Sequence, residues 1–257
     1  VSSPRKPLFL APTTAGTGSE VTPVAIITTG ETTKAGVSSP VLLPDVAILD
    51  AALTVGLPAH ITAMTGIDAM VHAIEAFTSK MKKNPISDML ALRALKLLSE
   101  NIRTVLTSPE DRTAREAMLL GSMFAGQAFA NAPVGAVHAL AYPVGGHYHI
   151  PHGLSNSLML PAVLNFNAKA CPELYVELAA VLPGAEHSAL GLTDWFKRLI
   201  TESGLPSTLE QANIPESDLP MLASDAMFQQ RLLINNPREV DEPTALQLYR
   251  EAWRGWA

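Results

Sequence analysis

Asp68 and His72 stand four residues apart in the segment from Gly66 to Glu75. On a helix that spacing puts both side chains on one face, close enough to converge on a single ion. A carboxylate and an imidazole each present a lone pair when deprotonated, so the pair suits a divalent transition metal. The same spacing also suits a plain helix-stabilising hydrogen bond. His138 and His152 strengthen the metal reading. From Ala117 to Ala168 no Asp, Glu, Lys or Arg occurs, yet four of the seven histidines (His138, His147, His149 and His152) fall there. Imidazoles in an apolar tract need partners for their ring nitrogens. A backbone carbonyl serves any single one; for several beside an Asp-x-x-x-His helix, a shared metal is the more economical account.

The elements that must position these residues change character near residue 55. Before it, short β-favouring runs at Leu8–Ala11, Val24–Thr28 and Val46–Leu49 are separated by Pro, Gly, Thr and Ser. After it the pattern is helical to the end. Asn84-Pro85 reads as an N-cap with proline at the first helical position and Asp88 in the first turn. Met89, Leu92, Leu95, Leu98, Ile102 and Leu106 then recur at helical spacing. Ser108 to Asp111 repeats the start signal, and further helices are expected from Pro172 to Val181, Ser188 to Ser203 and Glu242 to Trp253. The expected fold is therefore mainly α: an all-helical part at 56–257 behind a short strand-rich part at 1–55.

Composition narrows the function classes. Hydrophobic residues make up 47% and charged residues 16%, which is globular composition. A net charge of −6 without a basic run argues against nucleic acid. Cys171 is the only cysteine, which excludes an intramolecular disulfide and cysteine-rich metal clusters and suits a cytoplasmic setting. The uncharged tract is broken by Gln127, Asn131, Pro133 and several glycines, so it reads as lining an internal site, with no membrane span. His60 and His187 read as surface or helix residues, and Tyr249, Trp253 and Trp256 as packing or a subunit contact.

The Asp68/His72 helix and the His138 and His152 segments together resemble the iron-containing (group III) alcohol dehydrogenase family. The stretch from Thr13 to Glu20, Leu43 to Ala47, and Asn236-Pro237-Arg238 are similar to further stretches of that family, so the likeness covers essentially the whole chain. It implies one iron(II), or zinc(II), held by Asp68, His72, His138 and His152. It also implies hydride exchange between a small alcohol or aldehyde and NAD or NADP. Thr13, Thr14, Thr17, Ser19 and Lys34 would lie near that cofactor, and the protein would be a homo-oligomer. On the same likeness, 1–55 would be the end of an α/β nucleotide-binding domain and 56–257 the helical metal-binding domain.

Two departures qualify this. The Gly-Gly-Gly-Ser turn by which the family contacts the pyrophosphate does not occur in the sequence. Most of the nucleotide-binding domain is thus expected to be missing, and a metal-binding helical domain inactive without that region is the alternative. Tyr142 stands where some members carry a further histidine, four residues after His138. Tyr142 is a candidate for proton transfer, and His149 a second; His147 and His149 equally suit lining a loop.

Overall fold

The computed structural model describes residues 5–28 and 34–255, without the side chains at 28, 34 and 35. Among the described residues the leading part holds four strands: β1 (Phe9–Leu10), β2 (Val24–Thr28), β3 (Lys34–Ser38) and β4 (Val46–Ala47). β1 pairs in parallel with β4, Phe9 opposite Val46, while β2 and β3 form an antiparallel ladder with Ile26 opposite Gly36. The expected runs at 8–11 and 46–49 shorten to two residues each. β3 was not expected at all, because Lys-Ala-Gly-Val-Ser has little strand preference of its own and its conformation is set by pairing with β2.

Ten helices follow: α1 (Ala59–Thr78), α2 (Pro85–Thr107), α3 (Arg112–Asn131), α4 (Ala136–Tyr148), α5 (His152–Asn167), α6 (Pro172–Ala180), α7 (Ala189–Glu202), α8 (Leu219–Ala226), α9 (Gln230–Leu233) and α10 (Glu242–Arg254). The mainly α expectation holds. α1 is the central element, buried almost all round from Thr62 to Thr78, with α2, α3 and α5 packed on it. A helix apolar on every face must sit inside its domain.

Local sequence explains the helix starts. Asn84 caps α2 through a capping box, its Oδ1 accepting from the Ile86 and Ser87 backbone N–H groups at 3.1 Å each. The buried stripe of α2 runs through Ala91, Leu95, Leu98, Ile102 and Val105. Met89, read as part of the apolar helical spacing, is 59% exposed: it lies on the side of α2 opposite the stripe that runs through Ser87, Ala91 and Leu95. α3 begins at Arg112, three residues beyond Pro109, because Asp111 supplies the cap by accepting from Ala114 N–H at 3.0 Å.

The uncharged tract forms most of α3 and all of α4 and α5. Among the described residues no helix is long and apolar enough to cross a membrane. Tyr249 is fully buried and donates to the Leu140 carbonyl at 2.6 Å, and Trp253 donates to the Ile214 carbonyl at 2.8 Å, so both are packing positions. Trp256 lies outside the described residues. His60 and His187 are exposed.

Candidate metal centre

Three helices bring four side chains together. α1 supplies Asp68 and His72, α4 supplies His138 in its first turn, and α5 supplies His152 as its first residue. Each offers one donor atom, and the four atoms all lie within 4.8 Å of one another. The Nε2 atoms of His138 and His152 stand 3.8 and 3.7 Å from Asp68 Oδ1. The His72 ring stacks between Phe129 and His138, at centroid distances of 4.5 and 4.7 Å. Asp68, His72 and His138 are buried, and His152 is half-buried at the open side.

Close helix contacts make this possible. Gly153, beside His152, lies so near α1 that a Cβ there would come 2.3 Å from the Met64 carbonyl oxygen. The leading segment approaches equally closely. Gly18 sits at φ 59°, and a Cβ on it would stand 2.6 Å from Gly126 Cα on α3. Only paired glycines let the loop from Thr13 to Ser19 lie against the helix. In that loop Thr13, Thr17 and Ser19 are exposed and Thr14 is half-buried; the Thr17 and Ser19 hydroxyl oxygens are 2.8 Å apart. Lys34 opens β3, and its side chain lies outside the described residues.

Two residues to which sequence reasoning gave no role complete the centre. Glu75, buried on α1, accepts from the Val137 backbone N–H through Oε1 at 2.6 Å, and its Oε2 lies 2.6 Å from His138 Nδ1. Asn156 on α5 is fully buried; its Nδ2 lies 2.6 Å from Asp68 Oδ1, 3.2 Å from His138 Nε2 and 3.3 Å from His152 Nε2. The signal was present: Glu75 follows His72 by three residues and Asp68 by seven, and Asn156 follows His152 by four, so each shares a helix face with a ligand candidate. The Asn-Pro-Arg stretch has a structural part to play. Asn236 accepts from the Ala136 N–H that opens α4 and exchanges two hydrogen bonds with Asn167.

The donor set fits a divalent cation. Asp68 Oδ1 and the Nε2 atoms of His138 and His152 converge on one amide NH2, whose two hydrogens cannot satisfy all three. Burial pushes the Asp68 carboxyl up, but the charges of His72, His152 and His138 and the Asn156 hydrogen bond outweigh it and hold the group below the usual carboxylate range. Burial pushes His72 down to about 3, against the pull of Asp68. Both groups are thereby in the lone-pair form that a metal needs.

A pH prediction follows for the metal-free protein. His72 protonates near 6.5 when unfolded and only near 3 when folded, so the unfolded chain binds the extra proton between those values. Stability present above pH 6.5 is lost on acidification, at a slope of roughly 1.4 kcal/mol per pH unit from this residue. Denaturant midpoints of wild type and His72→Gln, measured across that range, should converge by that slope; parallel curves would mean that His72 is not held neutral.

The other candidates separate. The Tyr142 ring centroid stands 5.8 Å from that of His152. Burial pushes the Tyr142 hydroxyl up, offset only in part by Arg231. His147 Nε2 lies 2.5 Å from Asp225 Oδ2, away from the donors. His149 ends α4 at φ 54°, exposed, with no hydrogen bond or ring contact to the four donors among the described residues.

Comparison with known proteins shows what the chain is similar to. The family model "Fe-containing alcohol dehydrogenase family, C-terminal" matches residues 62–253, and "Iron-containing alcohol dehydrogenase" matches residues 1–51. The chain is 41% identical over 255 residues to long-chain-alcohol dehydrogenase 1 of Geobacillus thermodenitrificans, covering 97% of this chain and 64% of that protein. With 1,3-propanediol dehydrogenase of Klebsiella pneumoniae it shares 36% identity, over 98% of this chain and 67% of the relative. A crystal structure of 1,3-propanediol oxidoreductase superposes with a TM-score of 0.93 at 36% identity, covering 98% of this chain and 68% of that one. Sulfoacetaldehyde reductase from Bifidobacterium kashiwanohense, solved in complex with NAD+, gives 0.86 at 33% identity, over 95% and 64%. The chain thus spans a little under two thirds of the curated relative it matches at 41% identity, and over that span it belongs to the iron-containing alcohol dehydrogenase family.

Proposed function

We propose that the chain carries the metal and substrate side of an oxidoreductase that moves hydride between a small alcohol or aldehyde and NAD or NADP. The convergence of Asp68, His72, His138 and His152 carries this reading. One carboxylate and three imidazoles suit iron(II) or zinc(II). When bound, such an ion polarises an alcohol or carbonyl oxygen as a Lewis acid. The chain's own residues do the positioning. Asp68 is the one anionic donor, Phe129 covers the His72 ring, and half-buried His152 marks the side open to substrate. Tyr142 keeps its proton at neutral pH and serves as a hydrogen-bond donor beside His152 rather than as a base. His149, just past the end of α4 and open to solvent, is the second candidate for proton exchange.

The loop bearing Thr13, Thr14, Thr17 and Ser19 reaches the same centre, since Gly16 packs on Thr65 of α1, and we assign it to the nicotinamide side. The NAD+ in the solved sulfoacetaldehyde reductase supports that choice of cofactor class. The boundary between the two functional parts is placed at 55/56, and the assembly is read as a homo-oligomer.

One observation favours a second reading, a metal-binding helical unit that needs further polypeptide for catalysis. The β1–β4 sheet is two residues long, and Phe9, Val46 and Ile48 are exposed beside it. A fluorescence titration of NADH into the purified chain, with and without anaerobic iron(II), separates the two. Saturable binding with stoichiometric metal is expected from the first reading; tight metal uptake without NADH binding would favour the second.

A further inference from the structure

We propose that Glu75 is a positioning residue that fixes His138 in the tautomer with its proton on Nδ1, so that the Nε2 lone pair is left for the metal. This rests on the metal-centre reading above. Among the described residues Glu75 makes no hydrogen bond to the other three donors. Its two oxygens are committed separately, Oε1 to the Val137 N–H and Oε2 to His138 Nδ1, both at 2.6 Å and both buried. A carboxylate is acceptor-only, so Nδ1 must donate. The opposite end of the imidazole gives an independent constraint. His138 Nε2 lies 3.2 Å from Asn156 Nδ2, whose orientation is set by its 2.6 Å contact to Asp68 Oδ1. An amide NH2 offers no acceptor, so Nε2 cannot donate to it and is the nitrogen left with the lone pair. Both ring nitrogens are therefore specified from outside, one by α1 and one by α5.

Glu75 does a second job with the same group. α4 starts at Gly135 with no side-chain cap of its own, and the Val137 N–H at its N-terminus is satisfied by Glu75. One carboxylate thus seats the first turn of α4 and orients the ligand borne in that turn.

Glu75→Gln tests this, because a carboxamide has a single acceptor oxygen. The Val137 N–H cannot become an acceptor, and stranding it in a buried place costs more than exchanging imidazole tautomers. The amide oxygen therefore stays on Val137, and the amide NH2 faces His138 Nδ1. Nδ1 must then accept, and the proton moves to Nε2, where it faces the Asn156 NH2 and takes up the ligand lone pair; that unfavourable contact adds to the loss of metal affinity.

The measurements are long-range 15N NMR of His138 in the metal-free 257-residue chain at mildly alkaline pH and a chelator-competition titration with zinc. Wild type should carry its proton on Nδ1 and Glu75→Gln on Nε2. Zinc affinity should fall roughly 10- to 100-fold in Glu75→Gln; Glu75→Asp, shorter by one methylene but still acceptor-only, should keep the proton on Nδ1 and lose less affinity than Glu75→Gln. A folded Glu75→Gln with unchanged tautomer and affinity would overturn the proposal. So would a proton on Nε2 of the wild type, a result that does not depend on the variant folding. His138→Ala separates the two levels: full zinc affinity there removes the metal assignment itself. Loss there with retention in Glu75→Gln removes only the role of Glu75.

Discussion

His152→Ala and His138→Ala are each expected to lower metal affinity by more than about 100-fold and to abolish with it the alcohol-dependent NAD(P) reduction proposed above. The magnitude has a floor, because removing an outer partner of a ligand already costs about 10- to 100-fold, and these changes remove the donor itself. The two variants should differ in what else they lose. The His152 side chain is 35% exposed, so water can replace part of what its truncation removes, and the melting temperature of the metal-free protein should fall less than in His138→Ala. The His138 side chain is 3% exposed and bonded to Glu75 on one side and Asn156 on the other. Its removal leaves buried polar groups short of partners, at a cost of about 1–3 kcal/mol. Metal analysis of dialysed protein and thermal melts, side by side, check both parts. Stoichiometric metal in both variants would sink the ligand assignment.

The part of this centre that could be read from the sequence was the part set by local spacing. Asp68 and His72 share a helical face, and the charge-free tract around His138 and His152 announces a buried segment. Neither fact says that α4 and α5 start against α1. That depends on Gly153 meeting the Met64 carbonyl, and on Glu75 and Asn236 supplying the acceptors that α4 lacks. Such contacts join residues tens of positions apart and leave no periodic trace.

The same physics explains the misreadings. Met89 is three residues from Leu92 and so joins the apolar run, but it lies across the helix from Ser87, Ala91 and Leu95, which form the buried stripe. β3 exists through its ladder with β2 and not through its own residues. The helix starts were legible because their signals are local: Asn84 and Asp111 each bond to N–H groups two or three residues on. His147 sat in the right tract for a site residue, yet its partner is Asp225 on α8, a pairing that no local pattern encodes.

Gly153→Ala is expected to damage stability and metal binding together, from one added methyl group. The new Cβ would stand 2.3 Å from the Met64 carbonyl oxygen and 2.7 Å from its carbon, both backbone atoms of the buried central helix. A carbon meets a carbonyl oxygen comfortably at about 3.3–3.6 Å, so α5 must move by roughly 1 Å. α1 cannot yield, being packed by α2 and α3 on its other sides. Overpacking of this kind costs about 1–3 kcal/mol. The displacement falls on the site itself, because Gly153 adjoins His152 and Met64 lies one turn before Asp68. The 3.7 Å separation of His152 Nε2 from Asp68 Oδ1 is set across that contact, and metal affinity should drop at least about tenfold, since ligand geometry tolerates only a few tenths of an ångström. Gly56→Ala is the matched control: a Cβ there meets nothing within 4 Å, and the lower entropy of its unfolded chain should leave stability unchanged or slightly raised. Denaturant melts and zinc titrations of the pair decide the matter. A Gly153→Ala protein as stable and as metal-avid as Gly56→Ala would mean that α5 does not rest on α1 at this distance, and that the His152 position is held by something other than the glycine contact.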